Sequence, residues 1–513
     1  MHGFEGLRPA AWLAGDSLLH AAATSPERVA LVADDESFTY GRLLDTALRL
    51  ARGLQECGLE PGDRVAIHMA NSWPCVATLY ATTLAGGIFV VVNPQVKADK
   101  LRAVLVDSGA RFLVTDAPAE APADLRDLRV VAPGAAPASL DWLVLSRDPE
   151  PEPRPVGTIP MDVATLVYTS GSTGVPKGVM LTHGNLVFVA ESVSRYLRLG
   201  PDDRIFNVFP LAFTYGLNQL LVAARLGATL VLERSFAFPL QVLERLERQE
   251  VTVFPGVPTM FATLLGLREQ PRLERVRCVT NAGAGMPPDF LEGIVRIFPS
   301  ASVFLMYGQT ECTRISYLEP ELVLERPRSV GRAIPGTAAF VLGADGAPAP
   351  PGETGVLHVR GPHVMAGYWE KPALSAEAVV PGEHPGERVL RTGDLFRTDD
   401  EGYLYFVSRT DDVIKTRGEK VSPLEVEHAL YEVAGVREVA VVGVPDAVLG
   451  QAVRAFVALD PGAEVSEAGL KRHCRARLEN HMVPREVIFL PELPKTESGK
   501  ILRRSLVAGA GEP

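Results

Sequence analysis

The 513-residue chain reads as an α/β protein. A large N-terminal domain of mixed and parallel sheets with helices is expected, with a small β-barrel-like subdomain and a small α+β C-terminal domain. Three observations carry this reading. The length exceeds what one hydrophobic core organises, at roughly 100–200 residues per domain. Short β-branched apolar runs alternate with longer helical patterns, as in strands joined by helical crossovers. That alternation gives way twice, first to Gly-punctuated short strands and then to a compact mixed pattern.

Taken in order, the runs RVAIHMA at 64–70, ARFLVTD at 110–116, GATLVLE at 227–233, VTVFPGV at 251–257 and ASVFLMYG at 301–308 predict strands. PLQVLERLERQE at 239–250 predicts a helix. The Pro/Ala/Asp-rich stretch from Ala132 to Pro160, which includes DPEPEPRP, predicts a surface linker. After about residue 335 come GTAAFVL, TGVLHVRG, RVLRTGDLF and GYLYFVSR, a β-rich unit. After about residue 411 come the helix-like SPLEVEHALYE, the strand-like REVAVVGV and AVRAFVAL, and the helix-like EAGLKRHCRARLEN. A boundary near Arg409–Asp411 therefore divides the chain into residues 1–409, with 335–409 as the β-rich subdomain, and 410–513. No internal repeat occurs.

Composition excludes some functions. Hydrophobic residues make up 47% and charged residues 22%, a globular balance. The net charge of -11 argues against a nucleic-acid partner, which needs a basic face. Five cysteines, an odd count with no C-x-x-C pair, argue against a disulfide framework or zinc site and suit a reducing cytoplasm. The N-terminal MHGFEGLRPAAWLAGDS lacks the basic-then-apolar pattern of a signal peptide. Two uncharged stretches, Asn71–Val96 and Ile205–Ala224, are long enough to span a membrane. Both carry Pro and Gly, and each reads instead as a buried helix and strand.

The strongest chemical signal follows the strand-like VATLVYT. Residues 169–178 hold Thr169, Ser170, Gly171, Ser172, Thr173, Gly174, Lys177 and Gly178: three glycines, four hydroxyls and a lysine in ten positions. Glycine lets the backbone turn tightly and aim N–H groups at an anion. The hydroxyls add donors or a magnesium ligand, and Lys177 a mobile charge for phosphates. The Gly-Lys-Ser/Thr triplet of a Walker loop is absent.

TSGSTGVPKGV resembles the phosphate loop of the adenylate-forming superfamily, which includes acyl-CoA and aryl-CoA synthetases. Further motifs follow in that family's order along nearly the whole chain. Tyr307-Gly308-Gln309-Thr310-Glu311 resembles its YGxTE motif. The resemblance implies that Tyr307 backs the adenine, Thr310 meets the α-phosphate, and Glu311 holds magnesium with a hydroxyl such as Thr169 nearby. Asn281, Ala282, Gly283, Ala284 and Gly285 resemble the adenine-side segment. Arg391-Thr392-Gly393-Asp394 resembles the ribose-binding motif, with Asp394 as acceptor. Phe406, Arg409 and Lys415 are implied nucleotide contacts, and Asp411 the hinge of a mobile C-terminal domain. Pro494 to Lys500 resembles the catalytic-lysine motif, with Lys500 bridging acid and α-phosphate. Arg417 and Gly418 are the implied lining of the pantetheine tunnel.

The acid pocket is less well marked. Phe213 stands where many relatives carry a histidine, and Tyr215 is the nearest polar group; Phe213 as plain core stays open. No acidic residue lies between Ile205 and Arg225 to pair an ammonium, which disfavours amino acids. Asn281, Ala282, Gly308, Cys312 and Arg314 complete the implied pocket, and Arg314 departs from the small or apolar residues usual there. It could meet the substrate or anchor a loop.

The resemblance implies ATP, magnesium and coenzyme A, or a carrier-protein phosphopantetheine, as partners of a small carboxylic acid. An acid–CoA ligase, a stand-alone enzyme loading a carrier protein, a non-thiol acceptor and a regulatory nucleotide-binding protein are the alternatives. Intact Glu311, Asp394, Arg409 and Lys500 argue against the last.

Overall fold

The computed structural model describes residues 12–118, 121–122, 124–132, 140–145, 152–170, 176–410, 412–416, 419–446, 449–495 and 501–508. Two large sheets dominate. One has nine strands among the described residues, in the order Arg332–Ala333, Ser316–Leu318, Ser302–Tyr307, Cys278–Asn281, Val253–Gly256, Arg204–Asn207, Thr229–Leu232, Val29–Ala33, Glu36–Thr39. Its interior strands pair parallel and its edges antiparallel. The other has eight, ordered Gly367–Tyr368, Pro176–Thr182, Val163–Ser170, Ile88–Val92, Arg64–His68, Phe112–Thr115, Arg129–Ala132, Leu140–Asp141. The alternation of strand and helix read from the sequence is this pair of sheets, since parallel neighbours require crossovers.

Local chemistry starts and stops the helices. Tyr40–Glu56 is capped by the Thr39 hydroxyl, which accepts from the Arg42 N–H at 3.2 Å. It buries Leu43, Ala47, Leu50, Ala51 and Leu54 at helical spacing. Thr214–Leu226 ends at Gly227, whose φ of +67° suits glycine. The long uncharged stretches resolve as expected. The first is the helix Trp73–Leu84 and the strand Ile88–Val92; the second is the strand Arg204–Asn207 and the helix Thr214–Leu226. Among the described residues no helix is long and apolar enough to cross a membrane.

One expectation needs correction. The segment 132–160 is not simply a surface linker. Leu140–Asp141 adds an edge strand, and the helical turn Trp142–Leu145 follows. Trp142 is 2% exposed, and its indole N–H donates to Thr78 Oγ1 at 3.0 Å. Arg154 adds a second tie, exchanging backbone and side-chain hydrogen bonds with Gln55, so the described parts of this stretch are fastened although its composition disfavours packing.

The β-rich unit is a five-stranded sheet of Ala338–Leu342, Gly355–Arg360, Arg388–Thr398 and Val379–Pro381, with Leu404–Arg409 added against Arg388–Thr398. Further along, Glu419–Val421, Ile414–Thr416, Gly450–Leu459 and Val436–Asp446 form another sheet, joined by Glu486–Phe489. The helices Pro423–Tyr431 and Glu467–Arg477 pack on it around Val426, Leu430, Val441, Val457 and Leu470.

Candidate active site

Asn281 and Tyr307 end parallel strands of the nine-stranded sheet, the edge at which open α/β sheets place their ligands, while Asp394 and Arg409 reach Tyr307 from the antiparallel five-stranded sheet. Val163–Ser170 and Pro176–Thr182 form an antiparallel hairpin in which Thr169 faces Lys177 and Tyr168 faces Gly178. Gly171, Ser172, Thr173 and Gly174 lie outside the described residues. Tyr168 donates to Asp107 Oδ2 at 2.8 Å, and Lys371 pairs with the other oxygen of Asp107, so the hairpin base is tied down. The Lys177 ammonium lies 5.7 Å from the Tyr368 ring centroid.

Ser302–Tyr307 delivers the second group. Tyr307 donates to Asp394 Oδ2, and Gln309 Nε2 donates to the same oxygen at 2.7 Å and to the Thr392 carbonyl at 3.0 Å. Asp394 is 4% exposed. Its Oδ1 is buried without a hydrogen bond, while Arg409 Nε stands 3.3 Å away. The pairing of Arg388–Thr398 with Leu404–Arg409 sets this, since Asp394 and Arg409 are register partners. Burial and then Asp394 push the Tyr307 hydroxyl well above its ordinary range, so it stays a donor. Burial is the strongest single influence on Arg409 and works against its charge, but Asp394, Asp412, Tyr307 and Glu311 together outweigh it and raise the guanidinium pKa above its ordinary value. Phe406 and Phe396 pack around Tyr307, with centroids 6.3 and 4.9 Å away.

Glu311 sits four residues beyond Tyr307, on the same turn. Its Oε1 accepts from the Tyr368 hydroxyl at 2.8 Å, and its carbonyl accepts from the Met365 N–H at 2.8 Å. Tyr368 thus touches both Glu311 and Lys177, and sequence reasoning missed it. It lies on a two-residue edge strand paired with Val179 and Met180, and the only signal was an isolated Gly-Tyr-Trp.

Gly308 is required by space: a Cβ there would stand 2.4 Å from the Thr313 carbonyl oxygen. Thr313 itself is left-handed at φ +61°. Asn281 ends its strand and holds the next turn by donating to the Ala284 carbonyl at 3.0 Å. Gly283, with φ +83°, Ala284 and Gly285 present exposed backbone, while Ala282 is buried. Phe213 precedes the helix Thr214–Leu226. Tyr215 lies within it, its hydroxyl 2.8 Å from Thr280 Oγ1 and its ring under the Arg314 guanidinium. Cys312 is fully buried, and burial pushes its thiol up, so it acts as packing and not as a nucleophile.

Lys415 is exposed on the strand Ile414–Thr416, and no hydrogen bond or ion pair joins it to the Asp394 cluster. Asp411, Arg417, Gly418 and Lys500 lie outside the described residues.

Residues 18–369 match the family model of the AMP-binding enzyme, and residues 425–500 match that of the AMP-binding enzyme C-terminal domain. The chain belongs to the AMP-binding enzyme family. It is 37% identical to a feruloyl-CoA synthase of an Amycolatopsis species over 494 residues, covering 94% of this chain and 96% of that protein. The solved o-succinylbenzoate CoA synthetase of Bacillus subtilis, in complex with its acyl-adenylate intermediate, superposes with a TM-score of 0.84 at 31% identity, covering 96% of this chain and 97% of that one. That protein has also been solved with ATP and a magnesium ion. An anthranilate CoA ligase in complex with anthranoyl-AMP superposes with a TM-score of 0.89 at 27% identity, covering 98% of each chain.

Proposed function

We propose that this chain activates a carboxylic acid without an α-amino group, with aryl acids as the leading class. The reaction is that of an ATP-dependent acid–CoA ligase. An oxygen of the acid attacks the α-phosphorus of ATP and pyrophosphate leaves. The thiol of coenzyme A then attacks the acyl carbon and AMP leaves.

The observation that carries this reading is the Asp394 cluster. Tyr307 and Gln309 saturate Oδ2, while Oδ1 is buried without a hydrogen bond. Oδ1 is ion-paired with Arg409 Nε at 3.3 Å but accepts no hydrogen bond, so it has capacity for a further donor, and a ribose hydroxyl is a donor of the right kind. Glu311 and Thr169 fit magnesium as hard oxygen ligands, and Glu311 has one oxygen tied to Tyr368. When bound, magnesium neutralises charge on the triphosphate. Lys177 adds a second positive charge across the hairpin from Thr169. Lys500 is assigned to bridging the acid and the α-phosphate, so that charge building there in the transition state is offset.

The second half-reaction is assigned to a rotation of residues 410–513 about Asp411, with Arg417 and Gly418 along the pantetheine path. Lys500→Ala should lose adenylation and keep transfer from supplied acyl-AMP. Asp411→Pro should keep adenylation and lose thioester formation. The opposite split in either variant contradicts its role.

The aryl class is supported by relatives whose names specify ferulate and 2-succinylbenzoate. It is supported also by the Phe209 and Tyr215 rings, 4.7 Å apart beside the candidate pocket. A carrier-protein phosphopantetheine presents the same thiol, and the free thiols of all five cysteines suit a cytoplasmic enzyme. The test is pyrophosphate release across aryl and aliphatic acids, without acceptor, with free CoA, and with a loaded carrier protein. Acyl-CoA from an aryl acid supports the reading. Aliphatic acids as the sole substrates overturn the aryl class, and acyl-AMP that ignores CoA overturns the acceptor.

A further inference from the structure

Arg314 is 2% exposed, and its Nε and Nη2 are buried without a hydrogen-bond partner. No ion pair reaches it among the described residues. Glu311, three residues earlier, forms no ion pair with it and is bonded to Tyr368. Two ionisable groups that feel the Arg314 charge are Tyr196 and Tyr215, and burial pushes both upward, Tyr215 to about 12, so neither supplies an anion at neutral pH. Arginine cannot shed its proton to escape such a site, so a buried guanidinium without a counter-charge is costly.

The surroundings hold this arginine in place without satisfying it. Its guanidinium lies 5.1 Å from the Tyr215 ring centroid, and the Tyr215 hydroxyl is anchored 2.8 Å from Thr280 Oγ1. Gly308 packs against its backbone, where a Cβ would stand 3.0 Å from Arg314 Cα. Thr313, the residue before it, lines a narrow slot with Leu186, Val189, Thr214, Leu217, Asn218 and Leu221. Asn218 Oδ1, in that slot, and Ser316 Oγ, two residues after Arg314, are also buried without hydrogen-bond partners. A loop anchor would be expected to bond backbone carbonyls, and Nε and Nη2 bond none.

We propose that Arg314 is a specificity-determining residue that pairs with a second anionic group on the acid, remote from the carboxylate that is adenylated. The substrate class is therefore a bifunctional acid, with a second carboxylate or sulfonate facing the guanidinium fork. Arginine suits this because it can donate two parallel hydrogen bonds to such a group. This inference rests on the ligase reading above and names the acid within it.

The experiment compares matched acids with wild-type enzyme, ATP, magnesium and CoA: benzoate against the three benzenedicarboxylates, cinnamate against 4-carboxycinnamate, and octanoate against octanedioate. Adenylation is read as kcat/KM. At least one bifunctional acid is expected to exceed its monofunctional partner by about a hundredfold or more, because a site built for a polar group rejects the analogue lacking it. Arg314→Met should abolish that preference and raise activity on the monofunctional acid, while Arg314→Lys should retain part of it; melting temperature and the KM for ATP confirm folding. If Arg314→Met does not fold, the wild-type preference decides alone. Wild-type enzyme that adenylates monofunctional acids as well as or better than every bifunctional partner overturns this inference and leaves the ligase reading standing. Wild-type enzyme that adenylates no acid of either kind overturns both.

Discussion

Arg409 Nε stands 3.3 Å from Asp394 Oδ1, across the antiparallel pair in which the two residues are register partners. The same carboxylate receives Tyr307 and Gln309 on its other oxygen. One acid thus fastens the end of a strand of the nine-stranded sheet to the five-stranded sheet.

Asp394→Ala should therefore have two effects. Leaving the buried Tyr307 hydroxyl with no acceptor, and Gln309 with the Thr392 carbonyl alone, should cost about 1–3 kcal/mol of stability. Loss of the ribose acceptor should raise the KM for ATP by roughly tenfold to a hundredfold, at about 1.4 kcal/mol per tenfold. Denaturant melts and ATP titration of the adenylation rate measure the two separately. An unchanged KM for ATP contradicts the ribose assignment.

Tyr368→Phe keeps the ring beside Lys177 and removes the hydroxyl that holds Glu311 Oε1. We expect a loss of roughly tenfold in adenylation kcat/KM and a raised magnesium requirement, with little change in melting temperature. A magnesium titration of pyrophosphate release checks this. A variant identical to wild type would mean that Tyr368 does not orient Glu311.

Those two sites differ in how legible they were. Tyr307, Gln309, Glu311, Asp394 and Arg409 stand in compact motifs, and the strands that carry them are strongly patterned. The strand register then supplies what the motif order could not, namely that Asp394 faces Arg409. Tyr368 was not legible, because it reaches Glu311 from an edge strand of two residues, 57 positions away. Trp142 was hidden for the opposite reason: the Pro-rich composition around it argues for a linker, and one buried indole overrides that. Arg314 was visible as a departure, but whether it was satisfied could be learned only from its surroundings.

Trp142→Ala should destabilise the protein by about 3–5 kcal/mol, as for other large aromatic truncations in a core. Adenylation at a permissive temperature should survive, because Trp142 touches Thr78 and no site residue. Chemical denaturation and the pyrophosphate assay check the two halves. A loss below about 1 kcal/mol would return residues 140–145 to the status of a linker.

His363 is fully buried with neither ring nitrogen bonded, and burial lowers its pKa to about 4. Its folded value lies below the unfolded value of 6.5, so the unfolded chain binds the extra proton. Stability contributed by the neutral ring is present above about pH 6.5 and is lost progressively as pH falls toward 4. The full loss is on the order of 3 kcal/mol, taking about 1.4 kcal/mol per pH unit. His363→Leu should flatten the melting temperature between pH 6.5 and 4 relative to wild type. An equal acid sensitivity in both proteins would remove His363 from the explanation.

The most direct test of acyl-adenylate formation follows an oxygen atom. The preferred acid, labelled with oxygen-18 in its carboxylate, is incubated with ATP, magnesium and CoA, and the products are weighed by mass spectrometry. If the acid attacks the α-phosphorus and the thiol then displaces AMP at the acyl carbon, AMP carries one oxygen-18 and acyl-CoA forms. Unlabelled AMP, or ADP with labelled phosphate, would contradict an acyl-adenylate intermediate and with it the central claim.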